Sequence, residues 1–192
     1  MKILLVVATH DEVIIDKFKD CNILITGMGM INTSIQITKE LLRNEYDLVI
    51  NMGVAGSFSK DYVIGDVVEV VEDSFSELGF ENGVEFEQFS DFELATKYSV
   101  EGKTDLQKVK GITVNTVHGN EGYISEIVNR LNPDVESMEG AAIFKVCKEF
   151  AIPCVQIRAI SNKVEKRNKA NWNMLLAIQN LNSAVEKIIT EL

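Results

Sequence analysis

The sequence predicts an α/β fold, with a twisted, mixed and largely parallel central sheet flanked by helices. Three observations predict it. Short β-branched runs alternate with segments of helical period along most of the chain. Each run is followed by glycines, amides or carboxylates rather than by a tight hairpin turn. The chain closes on a stripe of Met174, Ile178, Leu181, Val185, Ile188 and Leu192 at three-to-four spacing, which suits a long helix laid over a sheet. At 192 residues, with no repeat, linker or low-complexity tract, residues 1–192 read as a single domain.

Taken in order, residues 3–8 read as a buried strand, and residues 23–26 and 48–51 as two more. Between these two, residues 32–43 carry Ile35, Leu41 and Leu42 and predict a crossover helix. Residues 67–72 form a strand opened by the turn pair Gly65-Asp66. From 73 to 110 the pattern weakens into an acidic, Phe-rich stretch broken by Gly79, Gly83 and Gly102, where extra strands or a hairpin are expected. Residues 112–117 predict a strand, 124–131 a helix and 134–137 a short strand. Residues 139–150 put Ile143, Val146, Cys147 and Phe150 on one helix face. Pro153 precedes a strand over 154–160, and the last helix is expected over 171–192.

Composition narrows the function. With 29 acidic against 19 basic residues, the net charge of −10 argues against a nucleic-acid surface, which needs a basic stripe. The run of Lys and Arg between 163 and 169 is broken by Glu165 and two Asn. The apolar start is shorter than a signal core and runs straight into Thr9-His10-Asp11-Glu12. No apolar run approaches the ~20 residues of a membrane span. Cys21, Cys147 and Cys154 lack metal or redox spacing and suggest buried thiols in a reducing compartment. The expectation is a cytoplasmic protein. His10 and His118 without a third ligand predict no metal.

In open parallel sheets ligands bind beyond the carboxyl ends of the strands. The residues expected there are Thr9 to Glu12, Gly27-Met28-Gly29, Gly53 to Ser57, His118 to Glu121, Met138-Glu139 and Ser161-Asn162. Gly27-x-Gly29 lacks the third glycine of a dinucleotide fingerprint, since Asn32 stands there. That edge is where a site belongs, although the tally names no reaction.

Val135-Glu136-Ser137-Met138-Glu139-Gly140-Ala141-Ala142 and Arg158-Ala159-Ile160-Ser161-Asn162 identify the chemistry. The pair resembles the two signatures of the purine-nucleoside phosphorylase and nucleosidase superfamily. Gly27–Gly29 and Gly53–Gly56 stand in the matching order, and only the region from 73 to 110 carries no likeness. Within the superfamily the chain looks like a hydrolase. Phosphorylases hold phosphate with an Arg before the second glycine segment and a Ser or Thr within it; here Asn51 and Val54 occupy those places. Adenine nucleosidases end the later motif with Asp, whereas this chain has Asn162. An amide can donate to O6 and accept from a protonated N7, which suits hypoxanthine. The Ser-Met-Glu-Gly variant and the continuation Val164 to Asn168 and Trp172-Asn173 are similar to the futalosine hydrolases of menaquinone synthesis.

The resemblance implies a mechanism by residue. Glu12 would take a proton from the attacking water, Glu139 would hold the ribose hydroxyls and stabilise an oxocarbenium-like transition state, and Asn162 would stabilise the departing base. Met138 would pack under the sugar, with Gly53 and Val54 close to the substrate and Tyr123 stacking on the base. Arg158 either orients a catalytic carboxylate or pairs with a buried acid. Arg167 and Trp172 would suit the benzoate-bearing extension of futalosine. No metal or organic cofactor is implied. The implied partners are a small purine nucleoside and at least one further copy of the chain, with the Phe-rich stretch 75–92 as the expected interface. The rival readings are a methylthioadenosine/S-adenosylhomocysteine nucleosidase, a phosphorylase and a catalytically silent nucleoside-binding protein.

Overall fold

A computed structural model describes residues 1–83, 85–89 and 94–191, so Phe92 of the Phe-rich stretch lies outside the described residues. The elements run β1 (Ile3–Val7), β2 (Asn22–Ile25), α1 (Met30–Leu41), β3 (Leu48–Ser57), β4 (Val67–Phe75), β5 (Gly79–Asn82), β6 (Glu85–Gln88) and β7 (Lys97–Ser99). There follow β8 (Gln107–Thr113), α2 (Glu121–Leu131), β9 (Val135–Ser137), α3 (Gly140–Glu149), β10 (Cys154–Lys163) and α4 (Met174–Glu191).

The α/β class is as the sequence predicts, and β3 is its hub. One edge of β3 pairs in parallel with β10 along its whole length, from Val49 opposite Cys154 to Ser57 opposite Lys163. The other edge is shared. It pairs in parallel with β1 up to Asn51 and then antiparallel with β9 at Gly56 and Ser57. β4 lies antiparallel to β10 and parallel to β8, which in turn runs parallel to β9. Strands β3, β10, β4, β8 and β9 therefore close into a ring, with β1 and β2 extending beyond it. The open sheet expected from the alternation is in this part a small barrel.

Among the described residues four apolar clusters hold the arrangement, the smallest joining Ile112 and Val114 to Ile127 of α2. Ala55, Val68, Val70, Val109, Val135 and Ile160 fill the ring. On one face α4 lays Ala177, Leu181, Val185 and Ile188 against β1, β3 and β10. On the other, Ile37 and Leu41 of α1 meet Ala141, Ile143, Phe144 and Cys147 of α3. Each fully buried Leu, Ile or Phe contributes roughly 1.5–3 kcal/mol, so the two helical layers clamp the sheet from both sides. No described helix is long and apolar enough to cross a membrane.

Several boundaries differ from the sequence reading. The third strand does not end at Asn51 but continues to Ser57, so Gly53–Gly56 lie inside a strand. The last strand continues to Lys163 and carries Ser161 and Asn162 within it. Glycine and small polar residues lower strand propensity, yet β3 and β10 satisfy each other's backbone groups throughout that stretch. β8 ends at Thr113, where the pattern suggests a strand over 112–117. The weak region holds the end of β4, the β5–β6 hairpin and β7. A 3-10 turn, Lys169–Asn171, ends at an extended Trp172, so α4 starts at Met174 and Trp172 precedes it.

Candidate active site

Because β1 leaves β3 at Asn51 and β9 joins it only at Gly56, the edge of β3 between them is open. The chain leaving β1 crosses this opening as a 3-10 turn, His10–Glu12. The buried Glu12 carboxylate caps the free edge: its Oε1 accepts from the Val54 N–H at 3.2 Å. Its Oε2 accepts from the Thr9 N–H at 3.0 Å and from the Thr9 hydroxyl at 3.2 Å. The turn is held from outside by Asn182, fully buried on α4. Asn182 donates to the Glu12 carbonyl at 2.9 Å and accepts from the Ile14 N–H at 2.7 Å.

Glu139 follows β9 at the mouth of α3, where an acidic residue would ordinarily favour the helix dipole. Its side chain makes no capping bond. Oε1 instead accepts from the Gly29 N–H at 2.9 Å, across the pocket. Gly29 has φ +89°, a conformation costly for any side-chain-bearing residue, and this turns its N–H toward Glu139. Burial pushes the Glu139 carboxyl up, the Arg158 cation and the Gly29 N–H draw it back, and the nearby Glu12 charge pushes it up again.

Arg158 is 1% exposed and lies behind the pocket. Its guanidinium bonds two neutral amides, Gln156 Oε1 at 3.0 Å and Asn51 Oδ1 at 2.6 Å. Gln156 passes the chain on to Asp73 at 3.0 Å, and Thr113 donates to the same carboxylate at 2.9 Å. The Thr113 hydroxyl accepts from the Ala141 N–H at 2.7 Å, which ties the network to the first turn of α3. Burial pushes Asp73 up to about 6, against the opposing pull of these bonds and of Arg158. Of the two sequence expectations for Arg158, direct pairing with a buried acid is not seen among the described residues: the cation acts on Glu139 and Asp73 through space. Gly53 makes room for it. A methyl group there would stand 2.2 Å from Arg158 Nη1 and 3.0 Å from Glu12 Oε1.

At the other end of the pocket three strands place residues side by side. Gly56 pairs with Asn162 on β10 and with Glu136 on β9. With no side chain on Gly56, its neighbours close over it: a methyl group built there would be 2.9 Å from Val164 Cγ2, 3.2 Å from Asn162 Nδ2 and 3.5 Å from Glu136 Cγ. Asn162 Oδ1 accepts from the Ser161 hydroxyl at 2.8 Å, and its Nδ2 donates to the Lys163 carbonyl at 2.9 Å. Each amide atom keeps one further hydrogen-bonding position. Glu136 accepts the His118 N–H at 3.1 Å and lies 2.6 Å from the His118 ring Nδ1.

These groups enclose a cavity of about 370 Å³, within the ordinary range for small-molecule sites. Among the sequence candidates, Glu12, Val54, Met138, Glu139, Asn162, Arg167 and Trp172 line it. Gly53 and Arg158 do not line it; they stand behind Glu12 as described. Tyr123 departs from expectation. It is 69% exposed on the first turn of α2 and borders a separate groove with Glu126 and Arg130. Asn120 caps α2 through bonds to the N–H groups of Gly122 and Tyr123, so the helix begins earlier than expected and turns the ring outward. Val117 and His118 hold the wall assigned to Tyr123. Sequence reasoning passed over Glu136 and expected the loop 118–124 to form the platform for the base, with Tyr123 rather than His118 as its ring. The alternation Glu136-Ser137-Met138 in a short strand was the signal for the first. At the mouth, the Arg167 guanidinium lies over the Trp172 ring, 5.2 Å from its centroid, and among the described residues no carboxylate pairs with it.

Comparison with known proteins gives a consistent picture. The model of the phosphorylase superfamily matches residues 8–191. A futalosine hydrolase from Thermus thermophilus is 26% identical over 86% of this chain and 80% of its own. A 5′-methylthioadenosine/S-adenosylhomocysteine nucleosidase from Anoxybacillus flavithermus is 30% identical over 88% of this chain and 80% of its own. Among solved structures, a futalosine hydrolase mutant of Helicobacter pylori superposes with a TM-score of 0.89 at 17% identity, covering 100% of both chains. The methylthioadenosine/S-adenosylhomocysteine nucleosidase of the same organism, a D198N mutant with 5′-methylthioadenosine in its active site, gives 0.87 at 17% identity, covering 100% of this chain and 99% of its own. At such identities the likeness is one of fold.

Proposed function

The chain belongs to the phosphorylase superfamily, and from that premise we propose that it hydrolyses futalosine, releasing hypoxanthine, in the cavity between β3, β9 and β10. The relatives it matches over most of its length are nucleosidases, N-glycosyl hydrolases, and so is this chain. The residue roles and the substrate are the proposal.

Water is the nucleophile this site favours. Asn51 spends its carbonyl on Arg158, and Val54 offers no hydroxyl, so a phosphate dianion lacks its charge-assisted partners. Glu12 keeps one acceptor position beyond its three bonds and takes the proton of the attacking water. Glu139 accepts from the ribose hydroxyls and, with Arg158 balancing the two carboxylates, faces the positive charge that grows on the sugar as the glycosidic bond breaks. Met138 packs beneath the ribose. Asn162 donates from Nδ2 to O6 of the base.

The observation that carries the choice of futalosine is the Arg167–Trp172 pair. A cation over an indole ring, without a carboxylate partner among the described residues, receives a benzoate by ion pairing and stacking together. A methylthioadenosine/S-adenosylhomocysteine nucleosidase is the rival. The 30%-identical relative and the apolar Met174 and Ile178 in the cavity wall favour it, and Asn162 opposes it. The deciding experiment offers futalosine, inosine, methylthioadenosine and S-adenosylhomocysteine in phosphate-free buffer and identifies the free base by chromatography. Hypoxanthine from futalosine is expected. Adenine release would move the chain to the rival, and dependence on added phosphate would make it a phosphorylase.

A further inference from the structure

The proposed reaction leaves one chemical need unmet. A purine anion is a poor leaving group, and protonating it as the C1′–N9 bond breaks is what makes it depart; a neutral amide such as Asn162 has no proton to give. The cavity wall holds a group that has one. His118 lies against Glu136, with Nδ1 2.6 Å from Oε2, and the other Glu136 oxygen grips the His118 backbone N–H at 3.1 Å. One carboxylate thus fixes both the ring and the loop that carries it. Phe58 meets the ring edge-on at 6.1 Å, and the side chain is 14% exposed. Among the described residues, the protein makes no hydrogen bond to Nε2. Because Glu136 and Asn162 flank Gly56 on neighbouring strands, the imidazole stands at the Asn162 end of the cavity and away from the Gly29–Glu139 end.

We propose that His118, held and charge-stabilised by Glu136, is the general acid that protonates the leaving purine at N7. The inference rests on the nucleosidase reading of the cavity. A carboxylate on Nδ1 directs the second proton of an imidazolium to Nε2, and it stabilises the cation until the proton is passed on. In the step itself the C1′–N9 electron pair goes to the base. The Nε2 proton of His118 passes to N7, water oxygen bonds to C1′, and its proton goes to Glu12. Solvent then returns a proton to His118 and takes one from Glu12, so the enzyme is restored and neutral base leaves. Asn162 holds the base in plane and His118 supplies the proton, a division of labour that the chain needs because it has Asn at position 162. The same cavity is lined by Asp11, Glu12, Glu139 and Glu165, by Arg167, whose Cβ would lie 3.6 Å from a methyl on Gly119, and by Lys163, which spends its Nζ on the Ser59 and Tyr62 carbonyls; His118 also borders the adjoining groove that holds Glu77, Glu81, Glu85, Glu126 and Arg130.

The test compares leaving groups. On futalosine, His118→Gln is expected to lower kcat by about 10²–10⁴-fold, the usual worth of a positioned acid. On 7-methylinosine, whose base departs without gaining a proton at N7, the same variant is expected to stay within about threefold of the parent. Glu136→Gln, which keeps the volume and a hydrogen-bonding oxygen, should show the same pattern at smaller size. Equal losses on the two substrates would overturn the proposal and leave His118 a loop clamp. If the parent does not turn over 7-methylinosine, p-nitrophenyl riboside, whose leaving group likewise departs without gaining a proton, takes its place in the comparison. A parent that releases no base from any nucleoside fails the nucleosidase reading itself, and that outcome also overturns the acid role.

Discussion

On the proposed reading two side chains choose the nucleoside, and each yields a separate prediction. Arg167 lies over Trp172 at the mouth of the cavity and has no carboxylate partner among the described residues, so its expected partner is the substrate's own carboxylate. A charge-assisted bond is worth about 1.5–3 kcal/mol, so Arg167→Ala is expected to raise KM for futalosine about 10- to 100-fold. KM for inosine, which has no carboxylate, should stay within about threefold; steady-state kinetics with both substrates reads the difference, and equal effects would count against the benzoate site. At the other end, Asn162 accepts from Ser161 and donates to Lys163, which fixes how the amide presents to the base. Asn162→Asp replaces a donor with an acceptor facing O6. Turnover of 6-oxopurine nucleosides should fall at least about tenfold, and the ratio of kcat/KM for methylthioadenosine over inosine should rise. An unchanged ratio would remove Asn162 from base selection.

At the scale of elements, what matters is how a 3-10 turn only three residues long is held firmly enough to carry Glu12, the proposed water-activating carboxylate. The answer lies 170 residues away, on α4. Asn182 replaces an apolar residue in the buried stripe of that helix and bonds the backbone on both sides of the turn, at Glu12 and Ile14. Asn182→Ala leaves the buried Glu12 carbonyl without this partner, at a cost of about 1–3 kcal/mol, and frees the part-buried Ile14 N–H at a smaller cost. The expected result is a lower unfolding midpoint by calorimetry and a kcat loss larger than any change in KM, because the turn that slackens carries the water-activating group. A variant that is destabilised but keeps full kcat would show that β3, through Val54, positions Glu12 without help.

For the molecule as a whole, the buried ionisable network couples stability to pH. Asp73 ionises near about 6 in the folded chain because burial disfavours its charge, against roughly 3.9 for an unfolded Asp. Below about pH 4 the group is protonated in both states and costs nothing. As pH rises toward about 6 the unfolded chain ionises first, and the folded state loses stability that it does not regain at higher pH. Glu139 shifts in the same direction, whereas Glu69, bonded by Lys108, Lys103 and Thr104, shifts downward and adds stability above its own range. Comparing Asp73→Asn with the parent cancels those other groups. The variant is expected to become progressively less destabilised, relative to the parent, from pH 4 to pH 7 in chemical denaturation; a constant difference across that range would mean that Asp73 does not titrate there.

The sequence by itself determined the α/β class, the order of the principal strands and helices, and the two signatures that carry Met138, Glu139 and Asn162, with Glu12 following the first strand. Those features are local: periodicity reports which face of a segment is buried, and a motif carries its residues at constant spacing. Only the tertiary structure decided that β3 and β10 run on through their glycines and polar residues, since the hydrogen bonds that hold them there come from each other. It alone closed β3, β10, β4, β8 and β9 into a ring, because β9 reaches β3 by a pairing of just two residues that no pattern announces. It also turned Tyr123 to solvent and set His118 in its place, as the helix cap at Asn120 lies between them. The partnerships of Asn182 with Glu12, of Glu136 with His118 and of Arg158 with Asn51 join strands, loops and helices far apart in the chain. A single sequence records each member of such a pair and not the distance between them, which arises only when the core is packed.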